Sequence, residues 1–79
     1  MRRVRIKWLD ACSRHTEGRW SDIDDVKALS PLQCESMGWI VVDAETYLTI
    51  ASHIGESNAG GEICIPKNYI IEIMDQIDA

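Results

Sequence analysis

The sequence predicts a mostly-β protein: a small, strongly curved five-stranded barrel with one short helix between strands 1 and 2. Three observations carry that expectation. Residues 33–77 divide into four short β-favouring runs separated by turn signals. Gly38 lies inside the first of these, where a glycine marks a bulge, a sharp bend or a close backbone approach. A fifth run near the start alternates apolar and basic residues with the period of a strand. Seventy-nine residues leave room for one core, so residues 1–79 are expected to form a single domain.

The elements follow in order. Val4, Ile6 and Trp8 alternate with Arg3, Arg5 and Lys7, so strand 1 has an apolar face and a basic face. Residues 10–18 are polar and predict a loop. Ser21 is placed to cap a helix, Asp24 sits three residues on, and acids crowd the first turn where the helix dipole favours them. Ile23, Val26 and Leu29 supply one apolar stripe on two turns, and Ser30-Pro31 ends the helix because proline pushes its predecessor out of the α region. Strand 2 over 33–42 runs into the turn Asp43-Ala44-Glu45. Its segment Trp39-Ile40-Val41-Val42 is apolar on both faces, so a helix or a neighbouring subunit is expected to cover it. Strand 3 spans 47–54, a mobile Gly-rich loop 55–61, and Ile63-Cys64-Ile65 form strand 4. Pro66-Lys67-Asn68 turn a tight corner into the Ile-rich last strand over 69–74.

Composition narrows the classes of function. No apolar run reaches eighteen residues and no signal-peptide core is present, so a soluble cytoplasmic protein with no membrane association is expected. Cys12, Cys34 and Cys64 are odd in number and widely spaced, which argues against a disulfide framework or a zinc site and for small buried hydrophobes. Net charge is −5, unevenly spread. Residues 1–20 carry six basic groups and two acids, a balance of +4; residues 21–79 carry two lysines and eleven acids, a balance of −9. An acidic body suits nucleic-acid wrapping poorly, since phosphates are gripped through Lys and Arg. The basic first strand can still line a local anion site, and its cations are expected to pair with acids of the rest of the chain.

The layout over 33–75 resembles the Sm-like fold, a short five-stranded barrel related in shape to SH3 barrels, and within it the RNA-chaperone family Hfq. The residues that carry the resemblance are Gly38 in a curved second strand, the acidic turn Asp43-Ala44-Glu45, the long apolar strand over 47–54, and the corner Pro66-Lys67-Asn68 before Tyr69-Ile70. The resemblance implies a barrel, and the strand that is apolar on both faces, in so short a chain, is what leads us to expect a homo-oligomer. Two features depart from the resemblance. The helix falls between strands 1 and 2 rather than ahead of the first, and Asn68 stands where the Hfq corner has a histidine. Uridine-rich RNA binding is therefore not the first expectation. Trp8-Leu9-Asp10-Ala11, Gly38-Trp39 and Ile65-Pro66 also resemble segments of small phage-encoded proteins.

No catalytic constellation emerges. His15 and His53 are present with Ser and Cys, but without a nucleophile elbow or orienting partner, so the protein is not expected to be an enzyme or to need a cofactor or metal. The Asp22, Asp24 and Asp25 cluster lacks the glycine and terminal Glu of a calcium loop. The binding candidates are Arg14, Arg19, Trp20, Lys67 and Asn68: guanidinium forks and an ammonium for an anion, and an indole on which a base can stack. Trp20 has a second reading as a hydrophobic staple packed on the helix. Together these features point to a non-enzymatic oligomer that sequesters a small anionic ligand such as a nucleotide signal, with a counter-defence role in a phage. Hfq-like binding of RNA or single-stranded nucleic acid, and inhibition of a host protein, are the alternatives.

Overall fold

The computed structural model describes residues 1–11 and 20–76. Its elements are β1 (Arg3–Asp10), α1 (Ile23–Lys27), β2 (Leu32–Asp43), β3 (Tyr47–Ile54), β4 (Ala59–Pro66), a 3-10 turn (Lys67–Tyr69) and β5 (Ile70–Asp75). The strands form one antiparallel sheet in the order β4-β3-β2-β1-β5. The mostly-β class and the short helix between β1 and β2 stand as expected. The sheet is open, with β4 and β5 as its edges, so barrel closure is not among its strand pairings.

The alternation along β1 sets the two faces. Val4 and Ile6 are fully buried while Arg3, Arg5 and Lys7 project from the other side. Val4 pairs with Gly38, Ile6 with Ser36 and Trp8 with Cys34, so those β2 residues share the inner face. The Trp8 indole donates to the Ser36 hydroxyl at 3.0 Å, which satisfies the one polar atom of a large half-buried ring. From β3 and β4 the inner face receives Leu48, Ile50 and Ile65, which complete the core cluster; Trp8, Ile40, Ile63 and Ile70 pack around it.

Two glycines shape the sheet. At Gly38 a Cβ would lie 2.6 Å from the Ala51 carbonyl oxygen, so β2 and β3 approach there as only glycine permits. The register slips between Ile40 and Val42, a second irregularity in the same stretch of β2. Gly61 has φ +62°, a left-handed value that favours glycine, and a Cβ there would meet the Ser52 hydroxyl.

Several expectations are corrected. The helix has five residues rather than two turns, and its N-cap is Asp22 rather than Ser21, with no side-chain capping hydrogen bond. Gly60 and Gly61 belong to β4 rather than to a loop: backbone pairing with His53 and Ile54 extends the strand back to Ala59. None of the helix residues is buried, and Val41 and Val42 are 43% and 39% exposed, so α1 does not supply the cover expected for β2. Cys34 is half-buried, but Cys64, on an edge strand, is exposed. Cys12, His15 and the loop expected over 10–18 fall almost wholly outside the described residues. The described residues extend 50 × 28 × 24 Å with a radius of gyration of 16.2 Å, against about 12 Å for a compact domain of this length. Among them, no helix is long and apolar enough to cross a membrane.

Candidate functional site: an arginine–tryptophan groove

The outward face of β1 is where charge collects. Arg5 donates to Glu35, and Lys7 lies 4.0 Å from the same carboxylate. Arg2 donates to Asp75 at the end of β5. These pairs join the basic N-terminus to the acidic remainder, as the charge split predicted. All are exposed, so each contributes little to stability on its own.

Arg3 is held differently. Its cross-strand partner is Trp39, and its guanidinium carbon lies 5.8 Å from the Trp39 ring centroid, within cation–π range. Met37, two residues before Trp39 and therefore on the same face, is 62% exposed. With Ser52 and Gln76 these residues line an open groove of about 320 Å³. Each wall has a local cause. Gly38 lets β3 come close enough to present Ser52, and the absence of a Cβ at Gly61 leaves room for the Ser52 hydroxyl. Gln76 is fixed at the mouth because its backbone N–H donates to the Arg3 carbonyl at 2.8 Å.

The groove thus presents a guanidinium fork over an indole, a hydroxyl, a carboxamide and an exposed thioether. That combination suits a flat ligand with an anionic group: the fork matches carboxylate or phosphate, while the ring and thioether offer apolar contact. It contains neither a nucleophile–base pair nor an oriented histidine.

The Arg2–Asp75 clasp borders the groove, next to Gln76. The hydrogen bond from Arg2 pulls the Asp75 carboxyl below the ordinary carboxylate range, and the same bond raises the Arg2 guanidinium. A carboxyl with a depressed folded-state pKa adds stability above its unfolded value, and that contribution fades as pH falls through the lower folded value. Acidification below pH ~4 is therefore expected to loosen the end of β5 slightly, while its backbone pairing with β1 persists. Asp75→Asn should abolish this low-pH step, as followed by amide exchange at Gln76; an unchanged acid profile would show that the clasp does not hold the strand end.

The residues singled out from the sequence do not converge on this groove. Arg14 and Arg19 lie outside the described residues. Trp20 is fully exposed, so it does not staple the helix. The Lys67 ammonium donates to Asp43 at 2.6 Å, and the Lys67 backbone N–H donates to the Thr46 carbonyl, so the corner is tied to the β2–β3 turn. Asn68 is exposed beside it. Arg3 and Trp39 were not singled out, although the basic face of strand 1 was the signal that leads to Arg3. Comparison with known proteins found no matching family model, no matching curated protein and no matching solved structure.

Proposed function

We propose that this chain is a non-enzymatic, homo-oligomeric β-barrel protein that sequesters a small anionic ligand, a nucleotide or nucleotide-derived signal, in the Arg3–Trp39 groove. The observation that carries the reading is the Arg3 guanidinium held over the Trp39 ring in an open groove of about 320 Å³. The tight approach at Gly38 supports the curvature a barrel needs. Two unpaired edges, with Ile71, Ile73 and Ile54 exposed on or beside them, support assembly with further copies. A counter-defence role in a phage rests on the segment resemblances alone.

Equilibrium titration with a panel of cyclic and linear nucleotides tests the reading. At least one is expected to bind tighter than ~1 mM, the level at which an interaction is worth only ~4 kcal/mol. Arg3→Ala should weaken that ligand about tenfold or more, because a charge-assisted hydrogen bond contributes ~1.5–3 kcal/mol. No binding across the panel would rule the function out.

A second reading, Hfq-like binding of single-stranded nucleic acid, is favoured by one observation: Arg3, Arg5 and Lys7 share one face of β1. Its signature is affinity that falls steeply with salt. The ion pairs to Glu35 and the −5 net charge rank it second.

A further inference from the structure

Asp10 and Leu32 are paired across β1 and β2, and the chain between them makes an excursion that carries α1. The described part of this excursion buries almost nothing. Trp20 is 100% exposed, Ile23 71% and Val26 50%. A five-residue helix is far below the length that sustains itself in water, so its apolar stripe needs a surface to lie on. At the base of the excursion, Leu9, Ala11, Pro31 and Tyr69 line an apolar groove of about 320 Å³ with Asp10 on its wall. The largest exposed knob and an apolar groove therefore occur on the same chain, and a fully exposed Trp20 does not lie in the groove of its own protomer.

We propose that two copies exchange these parts: Trp20 of each inserts into the Leu9–Pro31–Tyr69 groove of the other. The chemistry of knob and hollow matches. The indole ring would lie against Leu9, Pro31 and the Tyr69 ring, and a buried indole needs an acceptor for its N–H. Asp10 provides one, since its carboxylate already accepts the Ala11 N–H through one oxygen and has lone pairs to spare. The occupant is a second copy because one chain carries both halves. Reciprocal insertion is the self-complementary arrangement a two-fold axis requires, and it closes at two subunits. It uses neither sheet edge nor the Arg3–Trp39 groove, so it is independent of what that groove binds.

Sedimentation equilibrium on the full chain tests the exchange. The chain is expected to dimerise, and Trp20→Ala should weaken the dimer about tenfold or more, equivalent to ~1.4 kcal/mol. Its far-UV circular dichroism should be unchanged, because Trp20 is fully exposed in its own protomer. Leu9→Glu, which blocks the hollow, should weaken dimerisation similarly. Mixing the two variants should restore a heterodimer, since one keeps its hollow and the other its knob. A Trp20→Ala chain that dimerises like the native one would overturn the proposal, as would a native chain that stays monomeric at millimolar concentration. So would association that survives Trp20→Ala and disappears when proline is placed in β5, which would assign assembly to the sheet edges.

Discussion

Ile6→Ala is expected to destabilise the protein by ~2–5 kcal/mol, the largest loss of any single core truncation considered. Ile6 is fully buried in a core whose further buried apolar members, among the described residues, are Val4, Leu48, Ile50, Ala51 and Ile65. Truncating a buried isoleucine to alanine costs ~2–5 kcal/mol, the removed methyl groups plus the cavity they leave. A chain of this length has a total stability of roughly 4–12 kcal/mol at ~0.05–0.15 kcal/mol per residue. One substitution therefore removes a large share of what holds the sheet together. Ile6→Val, which deletes a single methyl, should cost only ~0.5–1.5 kcal/mol. Urea titration followed by circular dichroism separates the two cases. If Ile6→Ala lost under ~1 kcal/mol, most of the stability would have to come from outside this core, for instance from subunit contacts.

Gly38→Ala is expected to be nearly as damaging, for a different reason. The added methyl would stand 2.6 Å from the Ala51 carbonyl oxygen and 2.9 Å from its carbonyl carbon. Both are backbone atoms in a paired strand, so neither can turn aside as a flexible side-chain end would. β2 and β3 must move apart, at a cost of ~1–3 kcal/mol or more for an overfilled interior. For a domain of this size that corresponds to a drop in melting temperature of roughly 4 °C or more. The shift also reaches the groove, because Met37 and Trp39 flank the glycine and Ser52 follows its contact residue. Gly38→Ala should therefore weaken ligand binding even where the protein remains folded. A Gly38→Ala protein that melts like the native one would mean that β2 is not bent by close approach.

The sequence and the structure agree where a signal was local. β1 was legible from the alternation of Val4, Ile6 and Trp8 with basic residues, and β3 matched over 47–54 because turn residues bound it on both sides. β4 was read too short because Gly60-Gly61 looks like a loop; what makes it a strand is pairing with β3, which no local propensity encodes. The sequence makes the helix too long because its stripe and acids suit a helix, while none of its five residues is buried among the described residues. The site was less legible for the same reason. Arg3 faces Trp39 only through the β1–β2 register, across 35 intervening residues. Lys67 looked available in the sequence because Asp43 lies 24 positions earlier, and only the fold brings the two together.

The strand order has a consequence in time. β1 lies between β2 and β5, so the first strand made pairs on one side with the last, Val4 opposite Asp75. During synthesis that side of β1 stays without a neighbour until residues 70–75 have emerged. A nascent chain stalled before residue 70 would hold a four-stranded meander with Arg5 and Lys7 already beside Glu35, but with Ile6 open to solvent where Ile73 should stand. Pairings this distant in sequence are entropically costly to close and slow to form. The step that completes the core is thus also the one that waits longest, and until residues 70–75 pair, that side of β1 is open to chaperones or to another nascent copy.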